Sequence, residues 1–326
     1  MTGRGARATA AEYRAFGVRE ARGQSATYER LALAVAEDAR LLDLLDGVPE
    51  PRRQPNLLFA ATRYLNGPVG EPAAFRDWAV RNWTEVAATM TARRTQTNEA
   101  ARCGVLLPVL ARLPQPLALL EVGASAGLCL YPDAYQYRYA GHSRVFGPVD
   151  SPVRLRCEVT GPIPLPSRMP EVVWRAGLDL NPLDVTRDDD LRWLEALIWP
   201  EHGHRRQRLR AAAGIVRADP PHLVRGDLLA DLPRLAARAP REATLVVFHS
   251  SVLYQVPAPT RLAFTELVRG LPGHWISNEG AEVFPEIFPE ITVPVPADGP
   301  QLSVLALDGR PLALAAPHGQ RLEWLS

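Results

Sequence analysis

The chain has 326 residues, of which 47% are hydrophobic and 22% charged; that is the balance of a soluble globular protein, and the length exceeds the ~100 to 200 residues of an ordinary domain. Acids and bases cancel to a net charge of +1, which argues against nucleic acid as a partner. No apolar run approaches the ~18 residues of a membrane helix, and the N-terminal MTGRGARATAAEYR lacks the apolar centre of a signal peptide, so a cytoplasmic location is expected.

The sequence contains no lysine, which excludes a Schiff base to pyridoxal phosphate, a Walker lysine and a lysine general base. Cys103, Cys129 and Cys157 stand apart, with no C-x-x-C pair. They suggest neither a disulfide framework nor a cysteine-bound zinc.

From Ala26 to Leu113 the apolar residues recur at helical spacing, beginning with Leu31, Val35, Ala39, Leu42 and Leu45 on one face. Asn66, Gly67 and Pro68 should stop a second helix, and Pro72 should open a third. Thr97 or Asn98 is the expected N-cap of TQTNEAARCGVLLPVLARL, and Pro108 should kink or interrupt that helix. Residues 1–113 are therefore expected to form a helical N-terminal region.

After Pro116, short apolar runs alternate with helical stretches, the pattern of a parallel sheet with crossovers. Strands are expected at Leu117–Val122, Glu171–Leu178, His222–Arg225, Thr244–His249 and His274–Asn278. Helices are expected at Asp188–Ala213, Leu228–Arg238 and Thr260–Gly270. LSVLALDGRPLALAA predicts a closing hairpin about Asp308 and Gly309. Tyr135–Val159 alternates as YQYRY, SRVF and VRLRCEV and predicts a β insertion within residues 135–165 of a Rossmann-like domain spanning 114–326.

The segment LALLEVGASAGLCL, Leu117 to Leu130, admits two readings. As E-x-G-x-x-x-G, Glu121, Gly123 and Gly127 resemble the first strand and turn of a nucleotide-type cofactor site. As G-x-S-x-G, Gly123, Ser125 and Gly127 spell a hydrolase nucleophile elbow. The second reading lacks the strands that should precede such an elbow, so a serine hydrolase ranks third among the functions considered. The first is extended by Asp179 in WRAGLDLNPLD and Asp227 in VRGDLL, acids at the ends of the second and third strands.

This ordered series resembles the class I methyltransferases, which bind S-adenosylmethionine on a seven-stranded sheet closed by an antiparallel hairpin. More narrowly, TNEAARCGVLLPVL, LLEVGASAGLCLYPDAYQYRY, WRAGLDLNPLD, WLEALIWPEHGHRRQRL and VRGDLL resemble a bacterial family, domain of unknown function 2332. The resemblance implies that Gly123 and Gly127 flank the methionine part of the cofactor, Asp179 its ribose and Asp227 its adenine; Glu121 and Ser125, the latter where many members carry a glycine, are also expected among the cofactor-binding residues.

At the end of the fourth strand, His249 is a candidate general base, Ser250 would adjoin the cofactor, and Tyr254 is a second catalytic candidate. Asn98, Glu99 and Glu279 rank behind them. Tyr131, Tyr135, Tyr137 and Tyr139 suit either an aromatic acceptor pocket or an exposed hairpin. Glu201, His202 and His204 are not expected to hold a metal, and Arg205, Arg206, Arg208 and Arg210 suggest a solvated helix face. The expected function is methyl transfer from S-adenosylmethionine to oxygen or nitrogen of a small molecule or peptide. The alternative is a non-catalytic S-adenosylmethionine- or nucleotide-binding protein of the same fold.

Overall fold

The computed structural model describes residues 4–288 and 301–325. Its helices are α1 (Arg4–Phe16), α2 (Ala26–Glu37), α3 (Ala39–Asp46), α4 (Pro55–Tyr64), α5 (Pro72–Arg81), α6 (Trp83–Ala92), α7 (Cys103–Leu110), α8 (Asp188–Leu197), α9 (Gly203–Ala218), α10 (Leu232–Ala236) and α11 (Ala258–Arg269). Its strands are β1 (Leu117–Val122), β2 (Gln136–Tyr139), β3 (Val145–Phe146), β4 (Arg154–Thr160), β5 (Val172–Asp179), β6 (His222–Arg225), β7 (Thr244–Ser250), β8 (His274–Glu279), β9 (Ser303–Leu307), β10 (Arg310–Ala315) and β11 (Arg321–Trp324). The chain divides into two compact units, one formed by Met1–Thr97 with Arg187–Gln207 and the other by Asn98–Thr186 with Arg208–Ser326. The division falls at Thr97, and α7 belongs to the second unit.

The first unit is helical. Single helices expected from periodicity are cut where local chemistry competes with helix continuation. Asp38 takes an extended backbone and accepts from the Leu41 N–H, so the face from Leu31 to Leu45 is shared by α2 and α3, and Ala39 lies exposed. Asn82, whose side-chain amide donates to the Trp78 carbonyl at 2.8 Å, separates α5 from α6. The segment from Ile198, whose backbone is extended, through Pro200 separates α8 from α9. Phe59, fully buried, is the hub of the core, with ring centroids of Tyr13, Phe16, Tyr28 and Phe75 4.8–6.3 Å away. Glu201 accepts from the Ser25 hydroxyl at 2.5 Å and the Thr27 N–H at 2.9 Å. Burial alone would raise its pKa, but these donors outweigh that and lower it to about 2.

The second unit carries an eleven-stranded mixed sheet in the order β3-β2-β4-β11-β10-β9-β8-β7-β1-β5-β6 among the described residues. β6, β5, β1, β7 and β8 run parallel, and β9 and β10 form the expected antiparallel hairpin, with positive φ at Asp308 and Gly309. The sheet does not stop at seven strands. The β insertion joins it, because β4 pairs in parallel with β11, Arg321 standing opposite Glu158.

β1 is central, all six of its residues buried, and it pairs with β5 on one side and β7 on the other. Its position follows from its sequence, since LALLEV carries almost no polar residue and must be covered on both faces. Leu120, Val122, Val247, Phe264, Trp275 and Phe284 are among the core residues on this part of the sheet.

Candidate functional site

Sequence order along the parallel strands reverses at β1. From it the chain moves outward to β5 and β6, then returns to β7 and β8 on the other side. A crevice opens beyond the carboxyl ends of strands at such a point. Here that edge carries Glu121 near the end of β1 and the turn Gly123–Gly127 after it, Asp179 as the last residue of β5, and Ser250 at the end of β7 with the loop Ser251–Leu253.

The turn is drawn sharply back on itself. Gly123 and Gly127 have φ of 73° and 72°, and Ser125, with φ 51°, takes the same left-handed region with a side chain. A Cβ added at Gly123 would lie 2.3 Å from Cγ2 of Val252, so the loop after β7 rests directly on the turn after β1. Ser251 in that loop has φ 54°. Non-glycine residues held in this region cost of order 1–3 kcal/mol each and cluster where a site is built; two of them meet at this edge.

Main-chain groups of the turn are held by two side chains, one acid and one amide. Asp179 accepts the Ser125 N–H at 2.8 Å through Oδ2 and the Asn181 N–H at 2.7 Å through Oδ1. Asn98 accepts the Leu128 N–H at 3.1 Å and donates to the Ala124 carbonyl at 3.3 Å. Asn98 therefore pins the turn instead of capping a helix. The cap that forms there is Glu99, which accepts the Ala101 N–H at 3.1 Å and an Arg208 Nε–H at 2.6 Å. Arg208 is thereby drawn off the solvated face assigned to it.

Arg102, which the sequence did not single out, is 7% exposed and donates to the carbonyls of Ser250 and Pro317, both at 2.9 Å. An arginine between small residues in NEAARCG was its only signal.

His249 is not at the mouth of this edge. Its ring is fully buried and both nitrogens are engaged. The Trp275 indole N–H, which can only donate, reaches Nε2 at 3.0 Å, so Nε2 accepts and Nδ1–H donates to Glu279 Oε1 at 2.7 Å. Phe264, Trp275 and Phe284 surround the ring. His249 thus lies in the core, where it is bonded to Glu279. Glu279, 1% exposed, also accepts the main-chain N–H groups of Val252 and Leu253 at 2.9 and 3.2 Å, and so fixes the loop after β7.

Ser250 is buried, its hydroxyl accepting from Asn278 at 2.9 Å. Tyr254 stands 61% exposed on the turn beyond it. Asp227 is exposed and accepts the N–H groups of Leu229 and Ala230 at 2.8 and 3.1 Å, the geometry of a turn cap. Tyr131, Tyr135, Tyr137 and Tyr139 are all buried, their hydroxyls donating to main-chain carbonyls of Asp219, Leu128, Pro132 and Gly104. They are core residues and not an exposed hairpin. Among the described residues no group of three or more His, Cys, Asp or Glu could hold a metal.

Three buried polar atoms at the edge have no hydrogen-bond partner among the described residues: Glu121 Oε2, Ser125 Oγ and Asn278 Oδ1. Among the described residues no base is hydrogen-bonded to Ser125 Oγ. Burial, then the neighbouring Cys129, pushes the Glu121 carboxyl well above its usual value of 4.5, Arg102 only partly opposing it.

A family model described as uncharacterized protein conserved in bacteria (DUF2332) matches residues 10–324. The chain belongs to that family. No curated protein and no solved structure matches it. No described helix of this DUF2332 protein is long and apolar enough to cross a membrane.

In this DUF2332 protein the pKa of Glu121 has a direct consequence for stability. An acid whose folded pKa is raised contributes stability that is complete below its unfolded value and is lost as pH rises through the folded one. Glu121→Gln is expected to flatten the decline in stability above pH 4.5. Urea unfolding from pH 5 to 9 measures this, and parallel curves for the two proteins would contradict it.

Proposed function

We propose that the protein is an S-adenosylmethionine-dependent methyltransferase that acts on an oxygen or nitrogen of a small molecule or peptide. The observation that carries this reading is the meeting of the left-handed Gly123–Gly127 turn with three partnerless buried polar atoms at the switch point of a parallel sheet. Orphaned buried polar groups cost about 1–3 kcal/mol each, and a polar ligand at this edge would meet them. The seven contiguous strands from β6 to β10, which include the hairpin, support a methyltransferase-type sheet at the heart of the larger one.

Residues that would hold the cofactor are available. Glu121, Gly123, Ser125 and Gly127 border one end of the edge. Asp179 has both oxygens engaged by main chain, yet a carboxylate offers about four acceptor positions and can also receive ribose hydroxyls. Asp227 Oδ2 can receive an amino group. Bound S-adenosylmethionine supplies an electrophilic methyl group. The chain's part is to align the acceptor and exclude water, which can account for much of the barrier reduction in a displacement. With His249 inside the core, proton removal falls to another group, of which Tyr254 is the exposed candidate, or is not required by the acceptor.

The engagement of both Asp179 oxygens and both His249 nitrogens favours a second reading, a protein of the same fold that binds the cofactor without turnover. Calorimetric titration with S-adenosylmethionine and S-adenosylhomocysteine tests both. Wild type should bind, and Asp179→Ala should bind at least tenfold more weakly, with its fold checked by circular dichroism. No binding by wild type, or undiminished binding by the variant, overturns the cofactor assignment. Binding without methyl transfer to a broad acceptor panel favours the second reading.

A further inference from the structure

The β insertion breaks a rule of sheet construction. Side chains alternate across β2 and β4: Tyr137, Tyr139, Leu155 and Cys157 are buried on one face, and Arg138, Arg154 and Arg156 are exposed on the other. The register places Arg138 directly opposite Arg156, with Arg154 two residues before it on the same face. Paired residues on neighbouring strands are ~4.8 Å apart, and like charges in that relation destabilise a sheet. A threonine or valine would serve the strand better.

No ion pair relieves the conflict, although Glu158 lies on the same face of β4 two residues after Arg156. None of these three arginines has an ion pair or hydrogen bond among the described residues. On the neighbouring strand Arg321 is already paired with Glu323 at 3.2 Å. The arginines also line concave surface. A cavity of about 550 Å³ is bounded by Arg138, Gly141, His142, Arg156, Glu158 and Gln320, and one of about 290 Å³ by Gln136, Arg138, Arg154 and Arg156. Arg138 and Arg156 face both.

Local rules are broken at functional sites, where the cost is offset by what the site binds. Planar guanidinium forks match phosphate oxygens in bidentate geometry, and charge-assisted bonds of this kind are among the stronger polar contacts.

We propose that this face of the β insertion is a binding site for a phosphate monoester or free phosphate, held between Arg138 and Arg156 with Arg154 at its margin. An extended polyanion such as nucleic acid is disfavoured. The basic run ends at Glu158, and the chain as a whole carries a net charge of only +1. The site is independent of the cofactor reading, since it shares no residue with the edge beyond β1.

The full chain is titrated calorimetrically with inorganic phosphate and with phenyl phosphate in ~0.1 M salt, where screening suppresses loose attraction between exposed charges. Wild type should bind one of the two saturably, and the preference separates free phosphate from an organic ester. Arg138→Thr/Arg156→Thr should bind at least tenfold more weakly, and Arg154→Thr should lose less. Without ligand the double variant should melt at or above the wild-type temperature, because the repulsion is gone. Phosphate should raise the melting temperature of wild type alone. Absence of saturable binding by wild type, equal binding by the double variant, or binding confined to an oligonucleotide overturns the proposal.

Discussion

Replacing Glu279 with alanine is expected to lower stability by about 3 kcal/mol or more, since three donors lose their acceptor at about 1–3 kcal/mol each. The carboxylate accepts from His249 Nδ1 and from the N–H groups of Val252 and Leu253 while 1% exposed. Its loss leaves three donors without that partner, two of them in buried bonds. The effect would not stay at β8, since Val252 rests on Gly123 and the turn after β1 would lose its cover. Glu279→Gln keeps an oxygen for the two main-chain donors and should cost roughly half as much, within the ~1.5–3 kcal/mol of one bond to a charged group. Urea denaturation of the three proteins decides the matter. A loss below about 1 kcal/mol for the alanine variant would mean that the donors find other acceptors.

Gly123→Ala should cost about 2–5 kcal/mol by two separable routes. A φ of 73° puts an L side chain in the left-handed region, worth about 1–2 kcal/mol. The new methyl group would also lie 2.3 Å from Val252 Cγ2 and 2.9 Å from Cγ1, an overpacking penalty of about 1–3 kcal/mol. Only the second route passes through Val252. A double-mutant cycle with Val252→Ala should therefore return a coupling of about 1–3 kcal/mol, while the backbone part persists in the double variant. Zero coupling would show that the two loops separate freely, and that the contact between them does not shape the edge.

The parallel strands were legible because their chemistry is local. LALLEV, HLVR and TLVVFHS are short apolar runs between turn signals, and the observed ends of β1, β6 and β7 differ from expectation by a residue at most. Helix interruptions were harder to see. The apolar period continues across Asp38 and Asn82, and what breaks the helix at Asp38 is a side-chain hydrogen bond that competes with the backbone.

The site was legible as a location and less so as chemistry. Glu121, the glycine turn and Asp179 do gather at one edge, but the sequence showed His249 only as a titratable residue at a strand end. Its withdrawal depends on Trp275, 26 positions later, and on Glu279, 30 positions later. Pairings at that distance leave no periodic trace. The same holds for Arg102, whose acceptors Ser250 and Pro317 are 148 and 215 residues away.

The pairing of β4 with β11 also orders events in time. Arg154–Thr160 takes its neighbour on one side from Arg321–Trp324, so during synthesis that strand must wait for about half of the chain before its edge is covered. Unpaired strand edges invite association with other chains, and contacts across such separations close slowly. The three arginines on the exposed side of β2 and β4 carry like charge on every nascent copy, and mutual repulsion between copies opposes edge-to-edge association during that interval.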